Sequence, residues 1–248
     1  MPTIEHTISM YSLSKAYGTF KALEDLNLHI QPGEIFGFLG PNGAGKTTTI
    51  NLLMGLIRPT SGTCAIGGLN PHSVEENEIL SLRRIVGYVP DATHFPEYLT
   101  AYETLEMAGR MHGLSPASRA DRLRTVIAQH GLEEVIHQYP TSYSLGMRRK
   151  LALAHAQIHD PKIYILDEPT NGLDPYAARE IKVWMTSMAE AGKTILLSTH
   201  LLDMAERYCH RVAILNKGRL ITVAHPQELK RQLQEASLED AFFKMTEQ

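Results

Sequence analysis

The order of apolar and polar residues predicts a chain in which strands and helices alternate. Leu26, Leu28 and Ile30 are separated by polar residues, which is the pattern of a strand with one buried face. The segment Ile35–Leu39 is a short apolar run, as expected for a strand that is buried on both faces. Further strands are predicted at 163–166, 194–199, 212–215 and 219–222, and Asn216-Lys217-Gly218 predicts a hairpin between the last two.

Helical periodicity occurs between these strands. The predicted helices cover 47–54, 101–112 and 116–129, and another begins near Ser144 with Met147, Leu151, Ala154 and Ile158 on one face. Gly55 and Gly131 follow two of these helices, and glycine is common where a helix ends in a left-handed turn. The pattern turns helical from about residue 75, and we expect residues 92–150 to form a helical insertion.

This alternation predicts an α/β fold with a mainly parallel sheet. The N-terminal strands and the late hairpin predict an antiparallel β part beside that sheet. We expect one domain over residues 1–248, in which 1–91 and 151–248 form the core and 92–150 form a helical subdomain.

Charge and composition change this picture little. The formal net charge of −3 does not indicate a nucleic-acid partner, and none is expected. The basic cluster Arg148-Arg149-Lys150 is expected to be the solvated start of a helix. Cys64 and Cys209 lack the spacing of a metal site, so we expect ordinary reduced cysteines.

The sequence pattern favours neither a membrane segment nor a metal site built from histidines. His155 and His159 lie one helical turn apart, but no glutamate follows His155 as in the His-Glu-x-x-His pattern, and no third ligand is evident. Residues 1–6 lack the basic start and apolar core of a signal peptide. The apolar runs fall short of the roughly 20 residues of a spanning helix. We therefore expect a cytoplasmic protein that reaches a membrane only through another chain.

Residues 40–47 match the phosphate-loop pattern at every required position, between a predicted strand and a predicted helix. Glycines let backbone N–H groups turn toward phosphates, and the helix N-terminus adds a positive partial charge. Lys46 is expected to reach the β- and γ-phosphates, and the Thr47 hydroxyl to bind Mg²⁺. A glycine-rich turn that binds nothing is the alternative, and the full match argues against it. The predicted contacts are Gly40, Pro41, Asn42, Gly43, Ala44, Gly45, Lys46, Thr47 and Thr48.

Two carboxylates end the strand predicted at 163–166. Since ligands bind at the carboxyl ends of parallel strands, Asp167 and Glu168 are expected to lie near the phosphates. Successive side chains point opposite ways, so Asp167 can hold Mg²⁺ while Glu168 positions the attacking water. The alternative, two solvated loop carboxylates, does not explain why acids follow four apolar residues.

These motifs, with Tyr143-Ser144-Leu145-Gly146-Met147 and a downstream His200, resemble in their order the ATP-binding subunit of an ABC transporter. The resemblance covers nearly the whole chain and implies a P-loop NTPase core of the RecA-like type. It also implies that Ser144 and Gly146 contact the γ-phosphate of ATP held by an opposite subunit. His200 would be the switch histidine, Tyr17 would stack on adenine, and Asp174 of Asn171-Gly172-Leu173-Asp174 would act across the dimer interface.

Simpler interpretations of these residues remain open. Ser144 would also be suited to a plain helix cap, His200 to an ordinary strand end, and Tyr17 to a surface position. The chain also departs from the family pattern. Leu145 and Met147 replace glycine and glutamine of the usual Ser-Gly-Gly-Gln signature, and Asp91 stands where the Q-loop has glutamine. Asp91 can still approach Mg²⁺, but it is shorter and adds negative charge beside the phosphates, so altered hydrolysis or coupling is expected.

The resemblance implies ATP and Mg²⁺ as cofactors and a head-to-tail dimer with a second copy or a paralogue. The dimer would power separate permease subunits from the inner face of a membrane. The segment 237–243 resembles a tail seen in export-type ABC subunits of drug, antibiotic and lipid systems. A terminal amphipathic helix packed on its own domain is the simpler interpretation. The segment after Asp91, with His94, Phe95 and Tyr98, is a candidate docking surface for the permease. A soluble ABC ATPase without a transporter, or an ATP sensor without turnover, are the alternatives.

Overall fold

A computed structural model describes residues 7–246. The predicted lack of a signal peptide concerns residues 1–6, which lie outside the described residues. The strands are β1 (Ile8–Tyr17), β2 (Phe20–Ile30), β3 (Ile35–Leu39), β4 (Ser61–Ile66), β5 (Val86–Val89), β6 (Ile163–Asp167), β7 (Thr194–Thr199), β8 (Arg211–Asn216) and β9 (Arg219–Ala224). The helices are α1 (Lys46–Leu53), α2 (Glu76–Ile85), α3 (Ala101–Met111), α4 (Pro116–Gln129), α5 (Leu145–Gln157), α6 (Pro175–Glu190), α7 (Leu202–Tyr208), α8 (Pro226–Leu233) and α9 (Leu238–Thr246), with a 3-10 turn at Pro140–Ser142.

The strands form two sheets in the described part of the chain. The larger has the order β5-β6-β7-β3-β8-β9 and is parallel except for β9, which pairs antiparallel with β8. The smaller is antiparallel, with the order β2-β1-β4. The α/β prediction with a mainly parallel sheet and an antiparallel N-terminal part is confirmed. The division into 1–91 with 151–248 and 92–150 stays a prediction.

Two strands were missed by the sequence patterns. β4 begins with Ser61-Gly62-Thr63, which are small or polar and exposed, so it lacks the alternation of a half-buried strand. β5 follows α2 directly, because Val86 already has extended backbone angles while Ile85 is still helical. With no glycine or proline between them, the sequence contains no signal for the change from helix to strand.

Side chains of the larger sheet divide between two hydrophobic cores. Phe38, Ile165 and Leu215 face the smaller sheet and α1, where they pack with Met10 and Ile50. Neighbouring residues of the same strands face the other way, because successive strand side chains alternate. Those residues pack with α5 to α9 in a second core, represented by Leu39, Tyr164, Leu166, Val212 and Trp184. The strands are therefore covered on both faces, as parallel sheets require.

The helical segment has a third core of its own. Helices α3, α4 and α5 pack through Leu105, Val126 and Leu151, all fully buried. The face predicted for the helix after Ser144 is confirmed, since Ala154 and Ile158 are buried there and Met147 packs beside them. Helix α9 packs its Leu238 and Phe242 into the second core, as a terminal amphipathic helix does.

One part of the basic cluster is not solvated. Arg149 is only 2% exposed, so the predicted solvated helix start at Arg148-Arg149-Lys150 is wrong for Arg149. Its guanidinium donates to the carbonyl oxygens of Pro90 and Asp91, each at 2.9 Å. These long-range partners, which have no signal in the local sequence, explain the burial.

A buried hydrogen-bonded group joins α4, α5 and α6. Gln157 Oε1 lies 2.9 Å from His130 Nε2 and 3.0 Å from the Trp184 indole nitrogen, and Gln157 Nε2 lies 2.7 Å from Gln129 Oε1. Burial lowers the pKa of His130 to about 4, although its hydrogen bond with Gln157 acts in the opposite direction. His130 is therefore neutral at pH 7.

We expect the free energy of unfolding to fall as the pH falls from about 6.5 toward 4. In this window the unfolded chain binds a proton at His130 that the folded protein does not, so acid favours unfolding. Urea unfolding at pH 7.5 and pH 5 should show a weaker pH dependence in His130→Gln than in the wild type. The exposed His137→Gln is the matched control. Equal pH dependence in all three proteins would contradict the assignment.

Candidate functional site

The carboxyl ends of three parallel strands bring the predicted motifs to one edge of the larger sheet. Leu39 of β3 lies beside Thr199 of β7, and Asp167 of β6 lies beside Ser198 of β7. The phosphate loop follows β3, Glu168 follows β6, and His200 follows β7. Ligands bind at this edge in open α/β sheets, and the register of the three strands brings the phosphate loop, Glu168 and His200 together there.

The phosphate loop takes a backbone conformation that requires glycine. Gly43 and Gly45 have φ angles of +81° and +108°, which other residues rarely adopt. Gly40 is restricted by space instead, because a Cβ atom there would lie 2.4 Å from the carbonyl oxygen of Leu215 on β8. The loop therefore lies directly against the sheet, and α1 begins at Lys46.

Lys46 and Glu168 meet at the base of this loop. The buried Lys46 Nζ donates to the carbonyl oxygen of Gly40 at 2.7 Å and lies 3.6 Å from Glu168 Oε1. The other oxygen of Glu168 lies 3.0 Å from Nδ1 of His200, which is half exposed. Glu168 thus lies between the lysine and the histidine and contacts both.

The backbone of Glu168 explains this placement. Its φ angle is +47°, in the left-handed region that is costly for a residue other than glycine. Its N–H donates to the Ser198 carbonyl oxygen at 3.2 Å and to the Ser198 hydroxyl at 3.1 Å. These bonds to β7 hold a strained turn, which directs the Glu168 side chain toward Lys46.

Asp167 faces the other way and is buried. It accepts a hydrogen bond from the Ser198 hydroxyl. Burial raises the pKa of Asp167, while its hydrogen bonds with Ser198 and Thr47 lower it and the charges of Asp91 and Glu168 raise it. The Thr47 hydroxyl and the Asp167 carboxyl are therefore neighbours, and both are oxygen ligands of the type that Mg²⁺ takes.

A cleft of about 540 Å³ collects most of the predicted residues. Its predicted lining residues are Tyr17, Asn42, Gly43, Ala44, Gly45, Lys46, Thr47, Thr48, Asp91, Glu168 and His200. Phe20, Ala22 and Asn171 also line it and are not among the predicted contacts. Phe20 could have been found, since the two-residue turn Gly18-Thr19 places it directly opposite Tyr17 in the β1–β2 pair.

The signature residues do not line this cleft. Ser144 caps α5, since its hydroxyl accepts from the N–H of Met147 at 3.2 Å, as predicted for a helix cap. Gly146 packs closely on α6, because a Cβ atom there would lie 3.3 Å from the Ala177 Cβ. Asp174 caps α6 by accepting from the N–H groups of Tyr176 and Ala177. Ser144 and Asp174 are exposed, so their surfaces are open to a partner.

A cleft of about 620 Å³ lies between α4, α5 and α6, but it contains none of the predicted site residues. Within residues 7–246, no three His, Cys, Asp or Glu side chains are grouped as a metal site. No described helix is long and apolar enough to cross a membrane.

The fold and the cleft define the class of protein as a P-loop nucleotide-binding ATPase. The family described as ABC transporter matches residues 23–171, and the chain belongs to this family. It is therefore an ATP-binding ABC ATPase of the kind that serves transporters.

Named relatives support this assignment. The chain is 40% identical over 222 residues to "Nod factor export ATP-binding protein I" of Cupriavidus metallidurans, covering 90% of this chain and 72% of that protein. It is 35% identical over 228 residues to the "Probable multidrug ABC transporter ATP-binding protein YbhF" of Escherichia coli, covering 92% of this chain and 39% of the relative. Both names carry the function of an ATP-binding transport protein.

Solved structures share the fold over most of the chain. A structure described as an ATP-binding subunit of an ABC transporter has a TM-score of 0.88 and 34% identity, covering 96% of this chain and 99% of that chain. The ATP-binding cassette MJ0796, a dimer in a post-hydrolysis state bound to ADP and Pi, has a TM-score of 0.81 and 25% identity, covering 88% of this chain and 98% of that chain. The fold is therefore one that binds and hydrolyses ATP.

We expect Tyr17→Ala to weaken ATP binding about tenfold, since aromatic stacking on a base contributes ~1–3 kcal/mol. Tyr17 is 51% exposed at the cleft, so its loss removes a stacking surface and little packing. Tyr17→Phe should keep the affinity. Tyr11→Ala removes an exposed tyrosine from the same strand outside the cleft and is the control. Calorimetric titration with ATP measures the effect; equal affinities for the Tyr17→Ala and Tyr11→Ala variants would argue against stacking.

Proposed function

We propose that this chain hydrolyses ATP as a head-to-tail dimer and thereby powers separate membrane-embedded permease subunits in export. The second subunit of the dimer is another copy or a paralogue. The observation that carries the dimer is the position of Ser144 and Gly146, which the resemblance assigns to phosphate contact although they do not line the cleft of their own chain. A second chain whose exposed Ser144 faces this cleft would supply the missing contacts.

The N-terminal end of helix α5 is suited to contact a phosphate group. Ser144 caps the helix, so its hydroxyl and the first N–H groups of α5 lie at the positive end of the helix dipole. The first turn of α5 contains no acidic residue, whose negative charge would repel a phosphate. Leu145 lies beside Gly172, since a Cβ atom at Gly172 would be 3.1 Å from it, so the signature and Asn171–Asp174 would meet the partner together.

Hydrolysis would use Glu168 as the base. One oxygen of Glu168 takes the proton from a water that attacks the γ-phosphorus, the bond from the γ-phosphorus to the bridging oxygen breaks, and ADP leaves. Lys46, now bonded to the Gly40 carbonyl oxygen, would turn its ammonium to the β- and γ-phosphates. His200 Nδ1 holds the second oxygen of Glu168 and would contact the γ-phosphate from the exposed side.

The residues beside the phosphate loop fit Mg²⁺. The Thr47 hydroxyl and the neighbouring buried Asp167 carboxyl would hold the ion. When bound, the ion would neutralise negative charge on the β- and γ-phosphates. Asp91 lines the cleft together with Thr47 and is a third candidate.

Export and the membrane partner rest on the relatives and on the C-terminal segment. A 40% identical relative is named for Nod factor export and a 35% identical one for multidrug transport. The segment 237–243 resembles a tail of export-type ABC subunits. In this structure the corresponding helix α9 packs on its own domain through Leu238 and Phe242. The protein would act at the inner, cytoplasmic face of the membrane, held there by the permease.

Glu168→Gln should lower the ATPase rate about 10²- to 10⁴-fold, the usual contribution of a general base. The amide keeps the shape of the side chain but cannot accept the proton. ATP should then hold the variant as a stable dimer, which size-exclusion chromatography with light scattering would detect.

The outcome of this experiment also separates the alternatives. An ATP sensor would show the same background rate in the wild type and in E168Q. A soluble ATPase without a transporter would turn over ATP, yet no multi-spanning protein would purify with it from membranes. A variant that binds ATP and stays monomeric would contradict the dimer.

A disulfide or photochemical crosslink from a residue introduced at position 98 in place of Tyr98 should reach the permease. Tyr98 is 78% exposed on the segment that links β5 to α3, whereas Phe95 is partly buried against His155 and therefore contributes to packing. We expect Tyr98→Cys to crosslink in membranes from cells that hold the whole transporter. Val74→Cys, 87% exposed elsewhere on the surface, is the control. Crosslinks only at position 74 would place the docking surface elsewhere.

A further inference from the structure

Asp91 brings a second carboxylate to the cleft that Glu168 lines. It is 51% exposed and lies two residues after the end of β5. Its carboxylate lines the same cleft as Lys46 and Glu168, so its charge acts on a ligand bound there. ATP is itself strongly negative, and a negative charge that nothing balances would oppose its binding.

Arg149 provides the opposite charge from the helical segment. Its Nη2 lies 3.7 Å from Asp91 Oδ1, and its side chain is only 3% exposed. Within the described residues, Asp91 is the carboxylate that lies within ion-pair distance of Arg149. A buried guanidinium is costly without partners, so this placement requires a specific set of contacts.

The backbone next to Asp91 supplies those contacts. Arg149 Nη1 donates to the carbonyl oxygen of Pro90, and Nη2 donates to that of Asp91, both at 2.9 Å. Arginine holds the two neighbouring carbonyl groups in fixed directions, because its donors lie in a planar fork. The fork therefore determines both the position of segment 90–91 and the charge beside it.

Arg149 also belongs to the helix that begins at Ser144. An α-helix is rigid over one turn, so the cap Ser144 and the fork at Arg149 move together. A displacement of α5 relative to β6 would consequently move Asp91 with respect to Asp167. Lys150, the next residue, instead pairs with Glu180 on α6 at 2.7 Å and does not contact segment 90–91.

We propose that Arg149 is a positioning residue that neutralises Asp91 and fixes segment 90–91 to the helix carrying Ser144. Its two roles are separable. Charge compensation acts on ATP binding, whereas the bonds to the carbonyl oxygens act on the position of Asp91 during turnover. The inference rests on the proposed function for its effect on turnover.

The test compares D91Q, R149Q, the double variant D91Q/R149Q and the control K150Q. Loss of Arg149 alone leaves the Asp91 charge in the cleft, so R149Q should raise the Kd for ATP about fivefold to tenfold and lower kcat about tenfold, the size usual for coupled neighbours. The double variant should regain the wild-type Kd, because the charge is gone, but keep part of the kcat defect, because the fork is gone. K150Q removes the same charge from the same helix and should change neither.

Hydrogen exchange of the nucleotide-free protein gives a readout that does not depend on activity. Exchange in segment 90–95 should be faster in R149Q and in the double variant than in the wild type, in D91Q and in K150Q. R149K keeps the charge without the fork, so it should exchange fast while its Kd for ATP stays near the wild-type value.

These outcomes separate the inference from the proposed function. Equal background ATPase rates in the wild type and in E168Q would end the proposed function, while ATP binding and exchange would still test Arg149. Independent effects of D91Q and R149Q on Kd, with no recovery in the double variant, would overturn charge compensation. Should R149Q fail to fold, folding restored by adding D91Q would support the pair, and a double variant that also fails to fold would overturn it.

Discussion

The parallel register of β3, β6 and β7 is the constraint on which the rest of the site depends. Because Asp167 lies beside Ser198, and Leu39 beside Thr199, three strands end at the same level of the sheet. The bonds from the Glu168 N–H to Ser198 continue this register by one residue beyond β6 and hold its left-handed turn. A shift of β7 by one residue would point Ser198 away from Asp167 and separate His200 from Glu168.

This dependence explains why so much of the site could be predicted from the sequence. A strand buried on both faces of a parallel sheet has a continuous apolar sequence. The residue that follows it lies at the carboxyl edge of the sheet, where ligands bind. Gly43 and Gly45 have positive φ angles, which few residues other than glycine tolerate, so glycines in this pattern indicate the loop. Lys46, Glu168 and His200 each follow such a signal, and the structure brings all three together.

Residues placed by long-range contacts carried no such signal. Arg149 looks like any basic residue on the first turns of a helix, and its burial depends on the carbonyl oxygens of Pro90 and Asp91, far away in the chain. β5 has no break between it and α2, because its extended conformation comes from pairing with β6. Sequence patterns describe local preference, and tertiary pairing can override that preference.

The same difference bears on the two departures from the usual family pattern. Leu145 and Met147 change side chains near Ser144, yet the cap that directs α5 depends on the Ser144 hydroxyl and a backbone N–H, so the helix start is unaffected. Asp91 changes a charge in the cleft, and charge acts at a distance in a way that a backbone cap does not. A neighbour of opposite charge compensates such a substitution, and Arg149 is a buried cation whose Nη2 lies 3.7 Å from Asp91 Oδ1. Asp91 and Arg149 are therefore best understood as one pair, and replacing either residue alone disturbs the balance of charge beside Asp167 and Glu168.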